Sequence, residues 1–174
     1  MTVQQSSKIR TATGSSFTIR QANLTDVESL LAMLKEAAVW MEENGITQWS
    51  PGHFKKEEVE SYFGYRTVYM VLDEEVPAGM FTLQDTDPDY WKSSNEQGYY
   101  YLHRLTVRGP YRSQKLGSAL LDWVSEKCKL DQMKGLRLDC RASNEKLNEY
   151  YQKLGFVYKG VAEKGGSDFC LYER

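Results

Sequence analysis

The chain of 174 residues is 41% hydrophobic and 26% charged, the size and balance of one water-soluble domain with room for a substantial core. Its 22 Lys and Arg stand against 24 Asp and Glu, a net charge of −2, so bulk electrostatics exclude a nucleic-acid binder and an anionic ligand must be held by a local arrangement. No stretch reaches the roughly 18 apolar residues of a membrane helix, and Cys128, Cys140 and Cys170 lack the spacing of a zinc site or redox pair.

Residues 1–16 are polar, without the apolar segment of a signal peptide, and read as a tail ahead of a single domain over residues 17–174. The expected setting is cytoplasmic, with no metal, nucleic-acid or membrane partner. Residues 16–20 alternate like a half-buried strand. Thr25 and Glu28 have capping-box spacing before a helix that carries Leu30, Leu31, Leu34, Ala37, Ala38 and Met41 and stops near Asn44-Gly45. A shorter helix is expected over residues 55–63. Residues 67–72 and 78–83 read as strands joined by a tight turn, and residues 85–97 as a polar surface loop. A long strand follows over 99–107, then a helix from 116 to 129 with Leu116, Leu120, Val124 and Cys128 on its buried side. The chain ends with a strand (136–140), a helix (145–154) closed by Gly155, and strands at 156–161 and 168–172. No repeat or linker marks a second domain.

The most informative stretch runs from Leu105-Thr106-Val107 through Arg108-Gly109-Pro110 and Arg112-Ser113-Gln114-Lys115 into Leu116-Gly117-Ser118. A strand, a turn and a helix N-terminus in that order make an anion site, because the first N–H groups of a helix have no internal partner and carry the positive end of its dipole. Gly117 permits close backbone approach, and Arg112 and Lys115 add local positive charge. This segment resembles the acetyl-CoA signature of the GCN5-related N-acetyltransferases (GNAT), an Arg or Gln followed by Gly three residues later and Gly or Ala five later. Arg112 and Gly117 match, while Lys115 occupies the place of the middle glycine.

A second segment supports the resemblance: Asn144 at a helix start, Tyr151 four residues before Gly155-Phe156, then a strand. Read on its own, Tyr151 also suits a core stripe with Leu147 and Leu154, and Asn144 a helix cap. The resemblance implies a mixed α/β fold with a mostly antiparallel twisted sheet of six to seven strands and about four helices. It implies an acetyl-CoA-dependent N-acetyltransferase that moves an acetyl group directly to a primary amine, with backbone of Ser113–Ser118 on the pyrophosphate, Asn144 on the pantetheine arm, and Tyr151 as acid to the sulfur. Backbone N–H groups of Leu105, Thr106 and Val107 would polarise the thioester carbonyl.

Histidine as a residue type titrates near neutral pH, which makes His103 the natural candidate for proton acceptor. The position resembles that of a histidine in the arylalkylamine N-acetyltransferases, with Tyr101 standing in for their second histidine. Strand alternation places Tyr99, Tyr101, His103 and Leu105 on one face, and Glu42 or Glu43 is the alternative base. Trp40, Glu43, Trp49 and Tyr101 are the candidates for the acceptor pocket. A small-molecule amine is the expected acceptor, and a homodimer is compatible with the family. The alternatives are a peptide or protein acceptor, or a CoA-binding module without catalysis.

Overall fold

The computed structural model describes residues 5–174, and the first four residues of the expected tail lie outside them. Eight strands form one sheet: β1 (Ser6–Arg10), β2 (Ser16–Gln21), β3 (Thr67–Asp73), β4 (Val76–Gln84), β5 (Tyr99–Val107), β6 (Gly135–Arg141), β7 (Val157–Lys164) and β8 (Ser167–Glu173). Their spatial order is β1-β2-β3-β4-β5-β6-β8-β7. All neighbours are antiparallel except β5 and β6, whose parallel pairing covers only Tyr99–Tyr101 against Gly135–Arg137. Beyond those residues the two strands diverge, and the wedge between them becomes the cavity described below.

The sheet has one strand more than the resemblance implies. The extra one, β1, falls in the expected tail and pairs along its length with β2, Ile9 opposite Phe17. Residues 6–10 (Ser-Ser-Lys-Ile-Arg) contain one large apolar side chain, too few for a strand signal by periodicity. The edge is polar and short, which is how exposed sheet edges are commonly blunted.

Among the described residues five α-helices flank the sheet: α1 (Val27–Glu43), α2 (Lys56–Tyr62), α3 (Pro88–Trp91), α4 (Leu116–Leu130) and α5 (Glu145–Lys153). None is long and apolar enough to cross a membrane. One layer of core gathers Leu30, Leu34, Val59, Tyr62 and Met70 beneath α1 and α2. The other packs α4 and α5 through Leu116, Leu120, Val124, Tyr151 and Phe156. The capping box before α1 is formed by Asn23 and Asp26, not by Thr25 and Glu28. Asn23 Oδ1 accepts from the Thr25 N–H at 2.9 Å and Asp26 Oδ2 from the Asn23 N–H at 2.9 Å. A single 3₁₀ turn, Leu24–Asp26, therefore precedes the helix, and Glu28 pairs instead with Lys56 at 2.7 Å on the surface.

Residues 85–97, expected as a plain surface loop, hold α3 and bury both Trp91 and Asp87. Arg137, only 5% exposed, fastens this segment to the sheet. Its Nη1 donates to Ser94 O at 2.9 Å and to the Tyr101 hydroxyl at 3.0 Å, and its Nε to Glu173 Oε2 at 2.9 Å. The charge is buried but fully partnered, the condition under which a buried guanidinium is tolerated.

Candidate active site

The divergence of β5 from β6 opens a cavity of about 740 Å³ that runs from the head of α4 to the segment around α3. Its two ends differ in chemistry.

At the first end the 3₁₀ segment Gly109–Gln114 turns into α4, and the junction residue Lys115 adopts the left-handed conformation, φ 58° and ψ 27°. That geometry favours glycine and costs an L-residue about 1 kcal/mol. Ala119 is the first helical residue whose N–H reaches an intrahelical carbonyl, Lys115 O at 3.2 Å, so the amides ahead of it stand at the positive end of the dipole. Lys115 and Arg112 line the cavity, and neither has an ion-pair partner among the described residues. The Arg112 guanidinium lies 4.0 Å over the Trp40 ring. An added Cβ on Gly117 would come to 3.0 Å from the Tyr150 hydroxyl, a contact that only a small shift of that side chain would relieve. Unused amides, two free cations and a missing side chain are what a diphosphate requires, and the residues fit that group.

Leu105, Thr106, Val107, Gly117, Ser118 and Tyr151 all face the cavity. Leu116 does not: its side chain is fully buried in the core, which leaves only its backbone for a ligand. Ser113 is exposed away from the cavity, and Gln114 is held through its carbonyl, which accepts from Thr13 Oγ1 at 3.0 Å. Asn144 caps α5, its Oδ1 accepting from the Leu147 N–H at 3.2 Å, and it does not line the cavity.

Between the ends, β5 carries a bulge. Met80 pairs with Thr106 but Thr82 with His103, so three steps along β5 match two along β4. The extra residue is Arg104, at φ 57°, held by the Tyr62 hydroxyl at 2.9 Å and Glu58 Oε1 at 3.2 Å. Opposite the bulge, Gly79 lets the backbones close up, since a Cβ there would sit 2.5 Å from Thr106 O. The bulge breaks the alternation expected from sequence: Leu105 packs into the same core as Leu102, off the face that holds Tyr101 and His103. On the other edge of β5, pairing with β6 ends at Tyr101, so the groups beyond it face the wedge.

At the second end, His103 stands between two carboxylates. Its Nε2 lies 2.8 Å from Asp87 Oδ2, and its Nδ1 3.8 Å from Asp139 Oδ2. Asp139 Oδ2 is buried without a hydrogen-bond partner, and burial pushes this carboxyl up to about 6. The ligand atoms of these three residues fall within 4.8 Å of one another, yet the imidazole separates the carboxylates, Asp87 on one nitrogen and Asp139 beside the other. The imidazole thereby links the two carboxylates through its two nitrogens, an arrangement that suits a proton path. Tyr151 lines the cavity between the ends, with burial raising its hydroxyl well above the usual phenol range. It thus stays a proton donor at neutral pH.

The acceptor candidates divide. Trp40 and Trp49 line the cavity. Glu43, with Glu42, is exposed at the end of α1 and does not. Tyr101 is fully buried beside Trp91, its hydroxyl donating to Glu96 O at 2.9 Å and accepting from Arg137, so it is a structural strut outside the cavity. The residues that sequence reasoning missed are Asp87, Tyr90, Asp139 and Arg141. Asp87 and Tyr90 come from the segment taken for a surface loop, and Asp139 and Arg141 bracket Cys140 on β6 in a run whose polar residues carried no motif of their own.

With the geometry in view, comparison with known proteins is informative. The Acetyltransferase (GNAT) family matches residues 32–156. The uncharacterized N-acetyltransferase YesJ of Bacillus subtilis is 28% identical over 156 residues, 86% of this chain and 84% of that protein. A GNAT-family acetyltransferase structure from Listeria monocytogenes superposes with a TM-score of 0.81 at 29% identity, covering 97% of this chain and 99% of that one. An aminoglycoside acetyltransferase solved with coenzyme A and kanamycin shares the fold at 16% identity, TM-score 0.72, over 91% of this chain and 94% of that one. The turn into α4, the split sheet and the bulged strand thus come with agreement in sequence across most of the chain: it belongs to the Acetyltransferase (GNAT) family and is an N-acetyltransferase.

Proposed function

We propose that the enzyme transfers the acetyl group of acetyl-CoA directly to the primary amine of a small molecule, with the head of α4 as the cofactor end and the His103 end as the acceptor end. The observation that carries this reading is the buried Asp87–His103–Asp139 row at one end of a cavity whose other end is a diphosphate cradle. Acetyl-CoA supplies the activated acyl group. Arg112, Lys115 and the α4 amides bind its diphosphate.

An amine arrives mostly as ammonium and attacks only when neutral. The unpartnered Asp139 carboxylate meets the ammonium first, and His103, steadied by Asp87, carries the proton away. As the new C–N bond forms, the C–S bond breaks and Tyr151 donates its proton to the departing sulfur. Wedge-facing backbone N–H groups near the bulge stabilise the oxyanion. Holding both reactants in one cavity removes the entropic cost of bringing them together. A cavity walled by Trp49, Tyr90 and Phe169 suits a small acceptor better than an extended chain.

The test is calorimetry of acetyl-CoA on the wild type and on Gly117→Trp, followed by CoA release with a panel of amines. Binding by the wild type alone, with turnover of at least one amine, is the expected result. No binding of acetyl-CoA by the wild type would sink the assignment of the cradle. Binding without turnover of any amine would favour a CoA-binding module.

A further inference from the structure

The acceptor end presents two opposite charges that the described chain leaves without a counter-ion at hydrogen-bond distance. One is Asp139 Oδ2. The other is Arg141, two residues along β6 and lining the same cavity. Its side chain makes one hydrogen bond, Nη1 to Ser167 Oγ at 2.9 Å, and its Nε is buried without a partner. Among the described residues no carboxylate comes within ion-pair range of it. By contrast Arg20, Arg104, Arg108, Arg137 and Arg174 each hold a carboxylate at 3.2 Å or closer. Lys164, which also lines the cavity, is already paired with Asp89 at 3.2 Å.

Arg141 is also fixed in place. Asn148 Nδ2 donates to its carbonyl at 3.0 Å, and the Phe169 ring lies 5.6 Å from its guanidinium carbon. Residues two apart on a strand share a side and lie roughly 6.6 Å apart, so Asp139 and Arg141 present a negative and a positive group about one small molecule apart. Tyr90 and Phe169, whose rings meet edge-on at 5.1 Å, wall the space beside them.

We infer that the acceptor is an amine that also carries an anionic group, a carboxylate or a phosphate, with Arg141 taking that group while Asp139 and His103 receive the amine. The inference rests on the acetyltransferase reading above and adds the substrate class. A guanidinium held ready for a planar or tetrahedral oxyanion forms paired, charge-assisted hydrogen bonds, and a substrate lacking the anion leaves its partly buried charge without a counter-ion.

The experiment measures kcat/KM for matched amines: L-phenylalanine against phenylethylamine, and O-phosphoethanolamine against ethanolamine. In each pair the second amine lacks the anion. Acetyl-CoA binding by calorimetry is recorded alongside. The wild type is expected to favour at least one anionic member by about tenfold or more, and which pair shows it tells carboxylate from phosphate. Arg141→Ala should collapse that ratio towards one, chiefly through KM, and Arg141→Lys should keep part of it. If no anionic member outperforms its counterpart in the wild type, the inference is overturned. It is overturned equally if Arg141→Ala weakens acetyl-CoA binding and leaves the ratio intact, for the guanidinium then serves the cofactor. Failure of the acetyltransferase reading looks different: acetyl-CoA does not bind, or no amine of either kind releases CoA.

Discussion

The two ends of the cavity are built in opposite ways. The end proposed for the cofactor centres on one continuous run, from the last residues of β5 to the first turn of α4, and what that run offers is mostly backbone: amides, a helix dipole and a glycine. The acceptor end is assembled from side chains on separate elements, Asp87 and Tyr90 from the α3 segment, His103 from β5, Asp139 and Arg141 from β6, and Phe169 from β8. A local, backbone-built site tolerates changes elsewhere in the chain and keeps one ligand. A composite, side-chain site can change its substrate one residue at a time. The difference makes the two ends separable by substitution.

Substitutions at the two ends should therefore separate binding from chemistry. Asp139→Asn is expected to lower kcat with any amine by roughly 10²- to 10⁴-fold, the range for loss of a proton-transfer group, with acetyl-CoA affinity measured by calorimetry little changed. Gly117→Trp should do the reverse, abolishing acetyl-CoA binding while the wild-type circular dichroism is kept. Equal loss of both properties in both variants would erase the division.

The pH dependence sharpens it. Burial raises the Asp139 carboxyl to about 6, so kcat/KM should rise as pH passes through that value and level off above it. For stability the sign is opposite. A carboxyl whose folded value is raised stabilises the fold most below its unfolded value, near 3.8, and that contribution is lost as pH climbs through about 6. Asp139→Asn should remove this loss, so the Tm difference between variant and wild type should grow in the variant's favour from pH 5 to pH 8. A flat difference would count against a buried, ionising Asp139.

Smaller effects are expected from the backbone between the ends. Gly79→Ala pushes a methyl group to 2.5 Å from Thr106 O, and a cost of about 1–3 kcal/mol in urea denaturation is expected because main chain must move. The smallest effect should come from Lys115→Gly. It relieves the left-handed strain by up to about 1 kcal/mol, seen as a small rise in Tm, and removes one cation from the cradle, seen as weaker acetyl-CoA binding at low salt.

The same contrast explains what was legible in the sequence. The helices and central strands follow hydrophobic periodicity, and the segment from β5 into α4 is legible because strand, turn and helix start are contiguous; the roles proposed for Arg112, Gly117 and Tyr151 come from the family resemblance, and the structure places all three along one cavity. Tyr101 was misjudged because alternation gives the face of a strand but not what covers that face, here Trp91 and Arg137. Leu105 was put on the wrong face because a bulge has no sequence signature when its left-handed residue is an arginine. Asp87, Asp139 and Arg141 stayed hidden because their meaning lies in being left unpaired or paired across distant elements, which no local pattern encodes. β1 was missed because its pairing with β2 is made by main chain, and its side chains are those of any polar tail.

The brief pairing of β5 with β6 has a thermodynamic consequence. A sheet that parts midway leaves two strand edges facing each other inside the molecule, and their amides and carbonyls must be satisfied by water or by whatever occupies the wedge. An occupant that binds only the folded chain adds stability by mass action, about 2.7 kcal/mol at a hundredfold excess over its Kd. The enzyme should therefore melt at a temperature set by how much cofactor surrounds it, and amide exchange along the diverging halves of β5 and β6 should slow before any other part of the sheet as the ligand is added.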